Sequence, residues 1–300
     1  MRKWISGLKS RRVIFSIRAV LVIGLLLLLY CWQIEPRRLV VVEETVVAPA
    51  EFSRDMLPLR IALLADLHVE NTTGAKERLR QVVELVNSAN PDLIVLLGDY
   101  MYGDPQYASS ASQDEIVAIL SDLSAPSGVY AVLGNHDIWW GREAMVRAFE
   151  KSPIRLLEDE YEILEFKGHS FALIGLADMT ADETIKDSEQ IRLRGERFRP
   201  VAEELPTIVL SHSPDVFFGL GAEYEVVLSG HTHGGQVRLP WIGPLIVPSS
   251  YGKKLSGGVY VEDDRVAVTS KGVGSSILRV RFMCPPEIVL LNFVKDPPEN

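Results

Sequence analysis

Five apolar runs in this chain of 300 residues each end on side chains that can bind a metal ion. Arg60-Ile-Ala-Leu-Leu-Ala65 leads to Asp66 and His68, and Asp92-Leu-Ile-Val-Leu-Leu97 leads to Asp99. Val129-Tyr-Ala-Val-Leu133 leads to Asn135 and His136, Thr207-Ile-Val-Leu210 to His212, and Glu225-Val-Val-Leu228 to His231 and His233. Runs of this length read as buried strands, and open α/β sheets build their sites at the C-terminal ends of strands. Five of the six histidines follow such runs, and His169, in a hairpin, is the exception. A single His-x-His pair is unremarkable, but satisfied core histidines have no reason to gather at strand ends. The fold must therefore be one that brings these tips together.

Between the first three runs the periodicity changes to that of helices. Leu79, Val82, Val83 and Val86 fall at i, i+3, i+4 and i+7 within Ala75 to Ala89, which Pro91 follows. Gln113 to Leu123 carries Ile116, Ile119, Leu120 and Leu123 on one face, and a further helix is expected over Arg142 to Glu150. Strand, helix, strand, helix, strand defines an α/β class. The second half is richer in strands: a hairpin about Lys167-Gly168, then Gly258 to Glu262, Arg265 to Thr269 and Glu287 to Phe293. Ala177 to Glu204 reads as a polar loop with some helix.

The tips carry nitrogen and oxygen donors and no thiolate. Asp66 and His68, spaced i, i+2, can chelate together. In extended chain His231 and His233 point to the same side and can reach one spot, with Gly230, Gly234 and Gly235 allowing close approach of backbone. Asp99 has two oxygens and can bridge two cations, while Asn135 offers a neutral carbonyl. Such a set suits manganese first, with iron or zinc as alternatives, and not a structural zinc knot. Eight donors exceed what one tetrahedral ion takes and match two. Two divalent ions, offset by Asp66, Asp99 and a bridging hydroxide, leave a net charge of about +1, suited to a phosphate oxyanion.

The N-terminus sets a second constraint. Arg2, Lys3, Lys9, Arg11 and Arg12 precede Val13 to Trp32, an apolar stretch with one charge, Arg18. As a helix these twenty residues span ~30 Å at ~1.5 Å each, about one hydrocarbon core. Arg18 can snorkel, and Tyr30 and Trp32 suit the far interface. Tyr30-Cys-Trp-Gln33 offers no small-x-small cleavage site, so we expect an uncleaved anchor and not a signal peptide. The basic cluster places the N-terminus in the cytoplasm and the rest beyond the inner membrane on its outer face, a single-pass arrangement. The expected organisation is a basic tail and transmembrane anchor over 1–34, a linker and first strand over 35–54, and the catalytic domain over 55–300. Cys31 and Cys284 are not expected to pair, so no disulfide framework is implied.

The net charge of −9 is unevenly spread. Residues 1–38 carry eight Lys/Arg and one Glu, so the remainder carries −16. Such a body is a poor match for nucleic acid, which needs a basic face. Substrate phosphate must be attracted locally.

Asp66-Leu-His68, Gly98-Asp99, Gly134-Asn-His-Asp137, His212 and Gly230-His-Thr-His233 resemble, in order, the five blocks of the calcineurin-like metallophosphoesterase family. The likeness covers about residues 55 to 295. It implies a β-sandwich of two mixed sheets flanked by α-helices. It also implies one metal on Asp66, His68, Asp99 and His233, and a second on Asp99, Asn135, His212 and His231. Attack on phosphorus would come from a metal-bound hydroxide. His136 resembles the histidine that protonates the leaving oxygen, and Asp137 is expected either to support its charge as a catalytic carboxylate or to cap the following helix. Tyr102 stands where protein Ser/Thr phosphatases carry an Asp, which argues against that activity. The tail Gly234-Gly-Gln-Val-Arg-Leu-Pro240 and Cys284-Pro-Pro-Glu287 resemble the membrane-associated bacterial branch, linked to phosphodiester or lipid-headgroup hydrolysis. Trp139-Trp140 and Trp241 to Val247 fit a lipid surface, though core packing takes most aromatics.

The expected activity is cleavage of a phosphodiester or pyrophosphate bond, in a lipid or nucleotide-linked lipid at the bilayer. The alternatives are a small-molecule phosphomonoesterase and, from another class, a non-catalytic metal-bound scaffold. The scaffold members of this family lose ligands or the acid histidine, and this chain retains all of them.

Overall fold

The computed structural model describes residues 2–180 and 188–295, with side chains from residue 14 onward. A long helix α1 (Arg2–Leu29) opens the chain, and β1 (Val40–Val47) follows. Then come β2 (Leu59–Leu64), α2 (Thr73–Ser88), β3 (Leu93–Leu97), α3 (Gln113–Leu120), β4 (Val129–Val132) and α4 (Asn135–Glu150). The middle of the chain supplies β5 (Arg155–Leu156), β6 (Glu160–Phe166), β7 (His169–Gly175), α5 (Ser188–Glu196), α6 (Arg199–Ala202), β8 (Thr207–Leu210), α7 (Val216–Gly219) and β9 (Val226–Ser229). Short strands β10 (Arg238–Leu239) and β11 (Gly243–Pro244) pair with each other. β12 (Gly258–Glu262), β13 (Arg265–Thr269) and β14 (Glu287–Val294) complete the described chain.

Two six-stranded mixed sheets result. The first runs β1-β14-β2-β3-β4-β5 and the second β12-β13-β9-β8-β7-β6. β2, β3 and β4 are mutually parallel, with Ile61 opposite Leu93 and Ile94 opposite Val129. β7, β8, β9 and β13 form the parallel centre of the other sheet.

Strand alternation decides what each face packs against. Ile61, Leu63, Val95 and Leu97 point inward and meet Leu173, Leu210, Leu228 and Val268 between the sheets. Ala62, Leu64, Ile94 and Leu96 point outward, where Val82 and Val86 of α2, Ile116 and Leu120 of α3, and Met145 and Phe149 of α4 cover them. Ile174, Val209 and Val227 do the same on the second sheet beneath Ile191 and Phe217. Strands buried on both faces read as unbroken apolar runs, which is why the sequence shows no alternation there. The two-sheet sandwich flanked by helices matches the expected class.

α2 begins where the Thr72 side chain accepts from the Ala75 N–H, and α3 where Ser112 and Glu115 form a capping box. α4 starts at Asn135, seven residues before the expected Arg142. Gly141, at φ 121°, breaks it into two pieces, and the second piece matches the expectation. Residues 35–54 were expected to be a linker with a first strand. The structure ties them in closely: Glu35 is buried and β1 pairs with β14 from Val40 to Val47. In the 177–204 segment α5 and α6 supply the expected helix, while residues 181–187 lie outside the described part. Among the described residues one helix is long and apolar enough to cross a membrane. Its span, Ile14–Arg37, has a mean hydropathy of 2.5, and no residue of 14–34 is buried against the domain. A buried core helix is thereby excluded.

Candidate metal centre

The five strand tips converge across the two sheets. Asp66 and His68 leave β2, Asp99 leaves β3, and Asn135 and His136 begin α4 after β4. His212 leaves β8, and His231 and His233 leave β9. Asp66, His68, Asp99, His231 and His233 all adopt left-handed backbone, with φ of 53°, 45°, 59°, 69° and 50°. Non-glycine residues avoid that region, and such strain gathers at functional sites. It also corrects one expectation. His231 and His233 are not extended, and their rings diverge to two different groups.

In one group the donor atoms of Asp66, His68, Asp99 and His233 lie within 4.8 Å of one another, and in the other those of Asp99, His212 and His231 do. His68 Nε2 is 3.1 Å from His233 Nε2 and 3.6 Å from Asp99 Oδ2. His233 Nε2 is 3.4 Å from Asp66 Oδ1. His212 Nε2 is 3.3 Å from the same Asp99 Oδ2 and 3.1 Å from His231 Nδ1. Asp99 thus stands between the two groups. Asn135 is buried and lines, with His231, a cavity of about 480 Å³.

The donor set fits divalent ions. His68 Nδ1 meets the Met101 carbonyl at 2.9 Å and His212 Nδ1 meets the Leu97 carbonyl at 2.7 Å. A carbonyl only accepts, so both Nδ1 atoms carry a proton and both Nε2 atoms are left facing the cluster as the atoms an ion would take. His68 Nε2 faces His233 Nε2, and among the described residues the buried His233 Nδ1 has no hydrogen-bond partner. A cation turns this unfavourable packing into attraction. The electrostatics agree. Burial pushes His68 down to about 4 and His231 down to about 3, keeping these two imidazoles neutral as ligands must be. Burial pushes Asp66 up to about 7, more than the nearby charges of His212 and Arg281 offset. Burial works against the charged forms of both Asp99 and His212, yet their mutual attraction holds Asp99 well below its ordinary value and His212 well above its own, so an ion here would have to displace the His212 Nε2 proton.

Glycines make room for the carboxylates. A Cβ on Gly134 would lie 2.3 Å from Asp99 Oδ1, and one on Gly230 would lie 2.9 Å from Asp66 Oδ2. Gly272 packs against Asp66 and Gly274 against His68.

His136 stands beside the centre. Its Nδ1 donates to the Gly103 carbonyl at 2.9 Å, its Nε2 is 3.9 Å from Asp99 Oδ2, and the Trp139 ring lies 4.7 Å away. Trp140 Nε1 donates to the same Gly103 carbonyl at 3.0 Å, so this tryptophan fixes a turn and is not a free lipid contact. The expectation that Asp137 supports the His136 charge meets a different geometry. Asp137 Oδ2 accepts from the N–H groups of Asp99 (2.8 Å) and Gly134 (2.9 Å), and Oδ1 accepts from Tyr100 (2.8 Å) and Met101 (3.1 Å). Both oxygens are committed to backbone. Asp137 is the third residue of α4 and, as in the capping alternative, accepts at the helix start; in addition it clamps the Asp99 turn.

Sequence reasoning missed Arg281. It is fully buried, and its guanidinium donates to the carbonyls of Lys271, Gly272, Gly274 and Cys284, holding the loop that packs on Asp66. Nothing in Arg279-Val-Arg281 distinguishes the buried arginine from the exposed one.

Fold and site together define a metal-dependent phosphoesterase. Residues 59–235 match the family model of the calcineurin-like phosphoesterases, and the chain belongs to that family. It is 31% identical to the phosphodiesterase YaeI of Escherichia coli, over 82% of this chain and 86% of that one. It is 28% identical to the UDP-2,3-diacylglucosamine pyrophosphatase LpxG of Chlamydia trachomatis, over 94% and 97%. Among solved structures it resembles the NAD nucleotidase NadN of Haemophilus influenzae, at a TM-score of 0.50 and 15% identity over 73% of this chain. This chain spans 46% of that structure, and the likeness concerns the fold alone. The protein is a hydrolase of phosphoric esters with a buried Asp/His cluster able to bind metal ions.

Proposed function

We propose that the chain is a membrane-anchored phosphohydrolase that uses two metal ions, manganese first, to cleave a phosphodiester or pyrophosphate bond of a lipid or nucleotide-linked lipid. The observation that carries this reading is the pair of buried donor groups sharing Asp99. Asp66, His68, Asp99 and His233 would hold one ion, and Asp99, Asn135, His212 and His231 would hold the other. When bound, such ions activate water and neutralise the phosphate. The protein's own residues orient the reaction. Asp137 and the three glycines fix the carboxylates. Gly103 locks the His136 tautomer, so that His136 Nε2 is the atom from which a proton can pass to the leaving oxygen. The cavity beside His231 and Asn135, with Trp139 and Tyr251 on its walls, receives the substrate. Residues 1–34 form the cytoplasmic tail and anchor, 35–54 lead into the domain, and 55–300 carry the catalysis on the outer face. The relation to LpxG, whose name specifies a lipid-linked pyrophosphate, supports the substrate class.

The test is the full-length protein in detergent, stripped of metal and reloaded with manganese. Bis-p-nitrophenyl phosphate should be hydrolysed faster than p-nitrophenyl phosphate. The opposite order favours the phosphomonoesterase reading, and no hydrolysis of either favours the scaffold.

A further inference from the structure

A second cavity, of about 620 Å³, has His68 in its lining and shares no lining residue with the cavity beside His231 and Asn135. Trp32, Gln33 and Arg37, the residues that follow the apolar helix, form one wall, and Arg78 of α2 lies on another. The loop through Gly274, Ser275 and Arg279 forms the third wall. Ile277, 91% exposed, and Leu278, 65% exposed, lie in that same loop between the lining residues Ser275 and Arg279, and Trp32 on the first wall is 55% exposed.

The charges in this cavity are unevenly satisfied. Glu70 and Glu77 on the wall pair with Arg279 and Arg80. Among the described residues Arg37 donates one side-chain bond, to the Gln33 carbonyl. Arg78 is part-buried, and its Nη2 atom is shielded from solvent without a hydrogen-bond partner among the described residues. A shielded cationic donor left unpaired costs about 1–3 kcal/mol or more, and a guanidinium is matched by phosphate. Burial, and then the nearby positive charges of Arg281 and Arg37, lower the Arg78 pKa, and on the lining Arg37, Arg78 and Arg279 outnumber Glu70 and Glu77 in a body that is otherwise acidic.

We infer that this cavity is a binding site for an anionic lipid drawn from the bilayer, its phosphate on Arg78 and Arg37 and its acyl chains leaving between Trp32 and Ile277-Leu278. The inference rests on reading α1 as a retained anchor, which sets the cavity mouth at the membrane surface. Apolar side chains with such exposure are costly in water and favourable in lipid. The volume lies within the ~300–1,000 Å³ range of small-molecule sites, enough for a headgroup without its chains. The site lies on the His68 side of the centre, apart from the cavity that His231 and Asn135 line, so a lipid held here reaches the centre along a route of its own.

The experiment needs neither metal nor turnover. Full-length protein in dodecylmaltoside with a chelator is titrated with dioctanoyl phosphatidic acid, and retained lipid is read by native mass spectrometry. One equivalent should bind, with dioctanoyl phosphatidylcholine retained about tenfold more weakly, since a zwitterionic headgroup offers less to a guanidinium pair. The double variant Arg37→Gln/Arg78→Gln, checked for an unchanged thermal unfolding midpoint, should lose phosphatidic acid by about tenfold or more, and Arg78→Lys should retain part of it. Equal retention by the double variant overturns the proposal. So does competition by glycerol 3-phosphate at the concentration where the lipid binds, which would make this a site for soluble anions. If the double variant does not fold, the two comparisons on the wild-type chain still decide. Because hydrolysis is not measured, failure here leaves the diesterase reading standing, and failure of that reading leaves this one to be judged alone.

Discussion

Gly134→Ala is the sharpest test of the idea that backbone packing sets the metal centre. Gly134 has φ −109°, a value any residue adopts, so the substitution introduces no backbone strain and acts through space alone. Its Cβ would lie 2.3 Å from Asp99 Oδ1, where ordinary contact begins near 3.4 Å, so the carboxylate must withdraw by about 1 Å. The backbone cannot take up the displacement. The same Cβ would be 2.6 Å from Asp99 N, and that N–H is held by Asp137. Retreat also breaks the 2.9 Å bond from the His136 N–H to Asp99 Oδ1. Overpacking of this kind costs about 1–3 kcal/mol, which a domain of this size survives. The function should suffer more. Asp99 belongs to both donor groups, and a ~1 Å misplacement of a reacting constellation costs on the order of 10²-fold in rate. The assay is manganese per chain by elemental analysis after gel filtration, with diester turnover and circular dichroism on the same sample. A folded variant with reduced metal content and turnover down about 10²-fold is expected. A folded variant with two ions and undiminished turnover would refute the reasoning.

Two further substitutions separate roles that geometry alone groups together. His136→Ala should keep both ions and lose about 10²–10⁴-fold in turnover, as removal of a general acid does; loss of metal would make the residue a ligand or a prop. Glu225 is buried beneath β8, where it accepts from the Thr207 N–H at 2.8 Å and hydroxyl at 2.6 Å, and burial raises its pKa above 4.5. The folded state therefore holds this proton to higher pH than the unfolded chain does. Its contribution to stability is complete below the unfolded value and is lost as pH rises through the folded one. Glu225→Gln keeps an acceptor for Thr207 and does not titrate, so its melting temperature relative to wild type should rise as pH increases above about 4.5, the ordinary glutamate value; parallel melting curves would contradict the assignment.

What the sequence discloses is what burial periodicity and residue chemistry encode. The apolar runs locate β2, β3, β4, β8 and β9, and the polar residues that end them are the ones that converge. The spacing of Leu79, Val82, Val83 and Val86 gives the buried face of α2. Conformation at the tips is hidden, because aspartate and histidine in left-handed backbone carry no signature of the kind that glycine gives. The partner of Asp137 is hidden for a related reason. Position three of a helix invites a capping role, but the further N–H groups it accepts come from the β3 tip, 36–38 residues earlier in the chain. Tertiary approach chose them. Trp140 was equally ambiguous: an indole beside the acid block suits lipid or core, and only its bond to the Gly103 carbonyl decides.

The foot of the apolar helix and the metal centre are one packed unit. The Arg281 N–H donates to the Cys31 carbonyl at 3.0 Å, and the Cys284 N–H donates to Glu35 Oε1 at 2.9 Å. Cys284 Sγ then lies 3.4 Å from the His233 carbonyl, and the Arg281 side chain holds the Gly272 and Gly274 carbonyls against Asp66 and His68. A flexible tether would let the domain tumble and sample the bilayer at random angles. Here the segment leaving the helix is tied by buried hydrogen bonds, each worth about 1 kcal/mol and costly to leave unmade, to the loop that shapes the ligand set. Orientation is therefore built in: once α1 spans a membrane, the His68 side of the centre stands at a fixed distance and angle to the lipid surface. That arrangement offers a substrate held in the bilayer plane an advantage over one arriving from solution, because part of the entropy of encounter is already removed.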